Sequence, residues 1–262
     1  MNHVWWRTHL RKLPELGFLD QFGDFNEVDD LMPFLTEALE LPHGARVLDL
    51  GCGRGSFGVR LAQWGYQVTA IDDSAPMLEI ARETAAQRGV EIALRQADLR
   101  SLPERSVFDG ALILDFGTFS DPDNAAMMRA VAAALKPGGR VVFGTCNPYY
   151  WSREPRTEHR SMEGTDVIRR YQFDFPTGTL ASRIRFIRPD GERKDLPEAR
   201  YRAYTLPELR GLTGATALAD LHIHGQDESG IPRPDRPLDS LRTPYFACVA
   251  IRPITGESGE GI

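Results

Sequence analysis

The chain has 262 residues, of which 42% are hydrophobic and 26% are charged, and this composition excludes a largely disordered or fibrous protein. No apolar run approaches the roughly 20 residues that a membrane-spanning helix needs, and no apolar stretch with a cleavage site follows the basic residues near the start. Three cysteines are too few and too scattered for a disulfide framework or a zinc cluster, so we expect a cytoplasmic protein without a metal site.

The charge is distributed unevenly along the chain. The formal net charge is −6, yet residues 151–210 carry 13 Lys and Arg against 10 Asp and Glu. An acidic protein with one weakly basic segment is a poor electrostatic match for a nucleic-acid backbone. The pattern favours an enzyme that acts on a small molecule, and an anionic substrate near the basic segment would fit it.

The first 41 residues are predicted to form an N-terminal cap segment. Residues 1–25 are aromatic and irregular. Asn26–Leu41 then has the pattern of a helix, because Asn26 can cap it, acidic residues fill its first turns and apolar residues recur at helical spacing. The aromatic residues of the head are predicted to close over a binding pocket: Trp5, Trp6, Phe18 and Phe22.

Residues 42–147 alternate between short apolar strands and helices. Arg46–Leu50 is the first predicted strand, and it runs into the glycine loop Gly51-Cys-Gly-Arg-Gly55 and a helix that Ser56 is expected to cap. Strands alternating with helices of this length predict a parallel sheet with helices on both faces. The remaining elements are predicted as follows: strand Gln67–Asp72, a helix capped by Ser74, strands Val90–Gln96 and Val107–Leu114, helix Pro122–Leu135 and strand Gly139–Cys146.

Within residues 148–204 the rhythm changes, because polar and apolar residues alternate. The segments Asp166–Phe175, Thr179–Arg188 and Arg193–Tyr204 are separated by Pro-Thr-Gly and Pro-Asp-Gly turns. Such turns between alternating segments are strong hairpin signals. We therefore predict an antiparallel meander inserted after the fifth strand.

Residues 205–253 are predicted to complete the core sheet. They open with a capping box at Thr205 and contain two further strands, Thr216–His224 and Pro244–Arg252, on either side of a proline-rich loop. Residues 254–262 are predicted to form a flexible tail.

The glycine loop and an acidic residue farther along carry the functional signal. Glycines between a strand and a helix let the backbone approach a ligand closely, and an acid about 20 residues on can bind a ribose. Asp72 stands 21 residues after Gly51. The dinucleotide fingerprint has its third glycine where this chain has Ser56, whereas here the third glycine is Gly55. Together with Asp49 in the preceding strand, the loop indicates a nucleoside ligand without a pyrophosphate.

These motifs resemble those of the class I S-adenosylmethionine-dependent methyltransferases. The resemblance covers residues 46–146 well and the last two strands more loosely, and it implies an α/β fold with a Rossmann-like, doubly wound sheet of seven strands. The last strand would be antiparallel, and an antiparallel β lid would follow the fifth strand. The similar segments are Val47-Leu-Asp-Leu-Gly-Cys-Gly-Arg-Gly55, Val68-Thr-Ala-Ile-Asp72, Ser74-Ala-Pro-Met-Leu78, Ala97-Asp98-Leu99 and Leu135-Lys-Pro-Gly-Gly139.

The activity that the resemblance implies is methyl transfer from S-adenosyl-L-methionine, which leaves S-adenosyl-L-homocysteine. The acceptor would be an N, O or C atom of a small molecule from a biosynthetic pathway. The backbone at Gly51, Gly53 and Gly55 would face the methionine part of the cofactor, with Asp49 near its amino group. Asp72 would accept hydrogen bonds from the two ribose hydroxyls.

Five more positions are assigned cofactor contacts by the same resemblance. Met77 would pack on the adenine ring, and Asp98 would accept the adenine amino group with the Leu99 amide beside it. Asp115 would lie where the sulfonium meets the acceptor. Asp73 stands where relatives often have an apolar residue, and it would either add an acceptor toward the ribose or face water.

Asp115 and His159 are the predicted catalytic residues. A neutral amine acceptor needs no base for the transfer, whereas a hydroxyl or an acidic carbon does. His159, Tyr149 and Tyr150 are the candidate bases within reach of the predicted lid. Asp115 would act on the acceptor or on the methionine amine of the cofactor, or else only cap the turn before Gly117.

Two alternatives stay open at this point. A non-methylating protein such as a cyclase could bind the same cofactor on the same scaffold. A methyltransferase acting on RNA or protein is disfavoured by the acidic charge. The predicted partner is a small molecule, with neither nucleic acid nor membrane, and a homodimer is left open.

Overall fold

The structure, a computed structural model, describes residues 25–162, 164–226, 231–233 and 238–254. The aromatic head and its predicted pocket-closing residues, most of the predicted tail and part of the proline-rich loop lie outside these residues. In the described ranges, no helix combines the length and the apolar character required to cross a membrane.

Helix α1 (Phe25–Leu39) covers one face of the core sheet. Four of its buried residues recur at helical spacing and are each at most 2% exposed: Val28, Met32, Leu35 and Leu39. They pack against buried valines of three strands, Val47, Val68 and Val142. The helix stops two residues before the predicted end, and Glu40 follows it with a left-handed φ of 47°.

The core sheet contains the seven predicted strands and one short additional strand. Their bounds are β1 (Arg46–Leu50), β2 (Gln67–Asp72), β3 (Ala93–Gln96), β4 (Phe108–Phe116), β5 (Leu135–Cys146), β11 (Ala219–Gln226), β12 (Pro232–Arg233) and β13 (Tyr245–Ile251). The order across the sheet is β12-β11-β13-β5-β4-β1-β2-β3. The first five strands pair in parallel, and β13 runs antiparallel to β5 and β11, which confirms the predicted last strand. The two-residue β12 comes from the proline-rich loop.

Helices cover both faces of this sheet. The helices after α1 are α2 (Ser56–Gln63), α3 (Ala75–Gln87), α4 (Asp121–Ala134), α5 (Pro148–Trp151) and α6 (Leu206–Gly214). Side chains alternate along β4: Ala111 and Ile113 join the buried cluster with α4 and α6, whereas Leu112 joins the cluster with α1 and α2. The predicted doubly wound α/β architecture is therefore confirmed.

The predicted helix caps are confirmed in two cases and wrong in two. Asn26 does not cap α1, because that helix begins at Phe25 and includes Asn26. Ser74 Oγ accepts from the amide of Met77, and Thr205 forms the capping box with Glu208. Ser56 does not cap α2 but is its first residue, because Gly55 takes the cap position with a left-handed φ of 79°. The buried Ser56 hydroxyl has no hydrogen-bond partner within the part of the chain that the structure describes.

A second, antiparallel sheet follows the fifth strand, as predicted. Its strands are β6 (Arg156–Met162), β7 (Thr165–Asp174), β8 (Thr179–Ile187), β9 (Arg193–Asp195) and β10 (Ala199–Arg202). The order is β10-β8-β7-β6, and β9 pairs with β8. The sequence did not predict β6, and the third predicted segment is divided into β9 and β10. The limits of the insertion, residues 148 and 204, remain a prediction.

The second sheet is joined to the carboxyl end of β4. The Arg202 amide donates to the Gly117 carbonyl oxygen over 2.7 Å, and the Tyr204 hydroxyl donates to Asp121 over 2.8 Å. On the other side of the sheet, Trp151 Nε1 donates to the Pro244 carbonyl oxygen over 2.8 Å. These contacts hold the inner face of the second sheet over the ends of the core strands.

Candidate active site

The glycine loop connects β1 to α2 and lies directly beside β2. The amides of Gly51 and Cys52 both donate to the Ile71 carbonyl oxygen, at 2.8 and 3.1 Å. Gly55 has no room for a side chain, because an added Cβ would lie 2.9 Å from the Cβ of Ala81 on α3. Its left-handed φ also disfavours other residues. The loop is therefore a tight turn whose backbone is open to a ligand on its other side.

Asp72, the last residue of β2, is held by two backbone amides. Its Oδ2 accepts from Gly53 and its Oδ1 from Ser74, both over 2.8 Å. Burial raises the pKa of this carboxyl, and the two amide bonds oppose that effect. A carboxylate oxygen has two lone pairs, so each oxygen can still accept from a ligand hydroxyl.

Asp49 near the end of β1 is a buried carboxyl with an unsatisfied oxygen. The residue is 4% exposed, and Oδ2 has no hydrogen-bond partner among the described residues. Burial raises the pKa of Asp49 to about 7, with a smaller contribution from the negative charge of Asp72, and the backbone amide of Gly58 opposes the shift. A buried acceptor without a donor suits a cationic ligand group, such as an ammonium.

A cavity of about 390 Å³ extends from the glycine loop to the second sheet. Five of the ten predicted cofactor residues line it: Asp49, Gly51, Gly53, Met77 and Asp115. The other five do not line it: Gly55, Asp72, Asp73, Asp98 and Leu99. Its far end is bounded by residues of both sheets: Cys146, Arg169, Tyr171, Leu180, Tyr201 and Tyr245.

Two of the predicted adenine contacts already have partners within the protein. The Asp98 carboxylate accepts from the Arg100 guanidinium over 2.8 and 2.6 Å, so its acceptors are shared with that side chain. Met77 packs against Ile184 and Phe186 of β8 as well as lining the cavity. Leu99 lies near the glycine loop, with its Cδ1 3.7 Å from where a Cβ on Gly51 would be.

Asp115 lies at the end of β4 and opens into the far end of the cavity. The side chain is exposed to the cavity, but the protein around it partly desolvates the carboxyl and so raises its pKa, while the positive charge of Arg169 opposes the shift. The negative charge of Asp115 in turn contributes to the raised pKa values of Cys146 and Tyr201, in both cases after burial. These groups therefore form one electrostatically coupled chamber, which we call the acceptor chamber (Asp115, Cys146, Arg169, Tyr171, Tyr201 and Tyr245).

The structure does not bring the other predicted bases into this chamber. His159 on β6 is exposed, and its Nε2 lies 3.2 Å from the Asp166 carboxylate. Tyr150 stacks beneath the Arg156 guanidinium, 4.1 Å from the ring centroid, and the Tyr149 hydroxyl accepts from the Leu206 amide over 3.4 Å. None of the three lines the cavity.

Five residues of the chamber were not selected from the sequence: Cys146, Arg169, Tyr171, Tyr201 and Tyr245. The signal was present on β7, because alternation places Arg169 and Tyr171 on one face. Which face points inward depends on the pairing of Tyr171 with Ser182 on β8 and on the packing of Trp151 against Tyr171, with ring centroids 4.4 Å apart.

Comparison with known proteins shows that this chain is similar to methyltransferases. The family profile described as "Methyltransferase domain" matches residues 47–139. The ubiquinone biosynthesis O-methyltransferase of Alkalilimnicola ehrlichii is 31% identical over 200 residues, which cover 74% of this chain and 76% of that relative.

Solved structures share the fold at lower identity. The CcbJ methyltransferase of Streptomyces caelestis has a TM-score of 0.74 and 18% identity, over 95% of this chain and 98% of its own. The S-adenosylmethionine-bound amino pentose methyltransferase CalS10 from Micromonospora echinaspora has a TM-score of 0.64 and 19% identity, over 92% and 96% of the two chains.

Proposed function

Since this chain belongs to the class I S-adenosylmethionine-dependent methyltransferases, and is an enzyme with a small-molecule acceptor, we propose that it methylates a hydroxyl oxygen of an acceptor held in the acceptor chamber. The observation that carries this proposal is that one continuous cavity extends from the glycine loop to Asp115. The Alkalilimnicola ehrlichii relative, which is named as an O-methyltransferase, supports oxygen as the methylated atom.

The residues near the glycine loop fit S-adenosylmethionine. The unsatisfied Oδ2 of Asp49 would accept from the ammonium of its methionine part, and the loop backbone at Gly51 and Gly53 would lie along that part. Asp72 would accept from the ribose hydroxyls, and Met77 would cover the adenine. Asp72, Asp73, Asp98 and Leu99 all lie outside the lining of the cavity. We propose the ribose contact for Asp72 because its two oxygens are fixed beside the loop by the Gly53 and Ser74 amides, and only marginal contacts for the other three residues.

Asp115 is the residue that we propose as the base. When bound, S-adenosylmethionine supplies a methyl group on a sulfonium, and a new C–O bond forms at the acceptor as the S–C bond breaks. The acceptor hydroxyl must lose its proton, and Asp115, which lines the cavity, would receive it. A carboxylate with a raised pKa holds a proton better than an ordinary one, which favours this transfer. His159 has no part in the proposal, because it lies outside the cavity.

Charge and composition support a proposal for the partners and the compartment. We propose a cytoplasmic enzyme that does not bind nucleic acid, because the net charge of −6 opposes association with a phosphate backbone. Methyl transfer between small molecules requires neither a nucleic acid nor a membrane.

Transfer of radiolabelled methyl groups into fractionated cell extract tests the proposal directly. We expect label in a low-molecular-mass product and none in protein or RNA, and mass spectrometry of that product should place the methyl group on oxygen. Label in macromolecules, or on nitrogen or carbon, would contradict it. Binding of S-adenosylhomocysteine without any labelled product would favour the non-methylating alternative.

A further inference from the structure

The acceptor chamber contains a cation as well as the proposed base. Arg169 lies in the middle of β7 and lines the cavity, on the same strand face as Tyr171. Its positive charge is felt at Asp115, where it opposes the effect of burial on the pKa. Removing a guanidinium from water costs free energy. An anionic ligand that binds to Arg169 would offset this desolvation cost.

The position of Arg169 is fixed by its neighbours. Its guanidinium donates to the Tyr171 hydroxyl over 3.1 Å, and that hydroxyl donates to Glu158 Oε2 over 3.4 Å. The Tyr171 ring in turn packs on Trp151. Because the tyrosine is held on two sides, it orients the guanidinium toward the cavity.

Resting on the proposed function, we propose that the acceptor is a small aromatic carboxylate whose carboxyl group is bound by Arg169, with Tyr171 as a positioning residue. A planar guanidinium matches a carboxylate with two parallel hydrogen bonds. Three tyrosines line the same chamber, Tyr171, Tyr201 and Tyr245, and their rings suit a flat aromatic acceptor.

The charge of the surrounding segment is in keeping with an anionic acceptor. Arg169 belongs to residues 151–210, which carry 13 Lys and Arg against 10 Asp and Glu in a chain whose net charge is −6.

Calorimetric titration of the full chain, saturated with S-adenosylhomocysteine, tests the inference with matched probes. The pairs are benzoate and benzamide, 4-hydroxybenzoate and 4-hydroxybenzamide, and salicylate and salicylamide. We expect at least one carboxylate to bind about ten-fold or more tightly than its amide, as a charge-assisted pair predicts. Arg169→Gln should abolish this preference, and Tyr171→Phe should reduce it.

The matched control is Arg170→Gln, one residue along β7 on the opposite, exposed face, which should leave the preference unchanged. S-adenosylhomocysteine affinity should stay the same in all three variants. Equal binding of every pair, or a preference that survives in Arg169→Gln, overturns the inference. A loss of S-adenosylhomocysteine affinity in Arg169→Gln would assign Arg169 to the cofactor and overturn it too. Failure of the wild-type chain to bind S-adenosylhomocysteine would instead overturn the proposed function.

Discussion

The Gly53 amide donates a 2.8 Å hydrogen bond to Oδ2 of Asp72, so the glycine loop and the end of β2 form one hydrogen-bonded unit. The second oxygen of the same carboxylate binds the Ser74 amide at the start of α3. One side chain thus joins the loop, a strand and a helix. A change at Asp72 should therefore affect both the shape of the site and the binding of the ribose.

Replacement of Asp72 with alanine tests its proposed ribose contact. We expect Asp72→Ala to weaken S-adenosylhomocysteine binding by about 2–3 kcal/mol, because charge-assisted hydrogen bonds to the ligand are lost. Isothermal titration calorimetry measures this directly. Glu83→Gln, which removes an exposed carboxylate from the same neighbouring helix, is the control and should bind normally. Unchanged affinity in Asp72→Ala would remove the ribose role.

The pH dependence of stability should report on Asp49. Its pKa is about 7 in the folded chain against an ordinary value of 3.8, so the folded state binds the proton more tightly than the unfolded state. The contribution of Asp49 to the free energy of unfolding therefore falls as the pH rises through this interval. Without ligand at pH 8, Asp49→Asn should be more stable than the wild type by on the order of 2–4 kcal/mol, and by little below pH 4.

Urea denaturation at several pH values would measure that difference. The same variant should bind S-adenosylhomocysteine more weakly, because the neutral amide replaces the carboxylate that would face an ammonium. A gain in stability that does not depend on pH would show that the effect comes from packing and not from ionisation.

The catalytic proposal predicts opposite outcomes for two residues. Asp115→Asn should lower kcat by about 10²–10⁴-fold, the usual contribution of a general base, with unchanged S-adenosylhomocysteine affinity. In the wild type, kcat should rise with pH through the raised pKa of Asp115, since only the ionised carboxyl accepts a proton. His159→Gln should keep full activity. Activity retained in Asp115→Asn and lost in His159→Gln would reverse the assignment.

Sequence periodicity was sufficient to predict the helices and strands of the core sheet. The bounds of β1 and β2 agree with the structure at both ends, because a short apolar run between turn residues is unambiguous there. Strand β6 was missed because its pattern is mostly polar: Arg156 lies on the Tyr150 ring, and Glu158 accepts from Tyr171. Partners distant in sequence stabilise these side chains, and local composition does not reveal them.

The candidate site likewise has one part that the sequence predicts and one part that it does not. The glycine loop and Asp72 follow from local sequence, because one tight turn and one strand end determine their positions. The acceptor chamber depends on the register of β7 on β8 and on which face of that hairpin turns inward. Arg169 pairs with Ile184 of β8, and Arg170 pairs with Arg183, so a shift of one residue would have exchanged the two faces.

The junction between the two sheets leads to a final prediction, at Gly117. This residue follows β4 with a φ of +107°, and an added Cβ would lie 2.3 Å from the Arg202 carbonyl oxygen. Gly117→Ala should therefore lower the free energy of unfolding by about 2–5 kcal/mol through backbone strain and steric overlap. Gly211→Ala in α6 is the matched control: nothing lies within 4 Å of the added Cβ, and helix propensity predicts a gain of about 0.5–1 kcal/mol. Urea unfolding of both variants measures the two effects, and equal stabilities would mean that the attachment of the second sheet at Gly117 does not limit the stability of the protein.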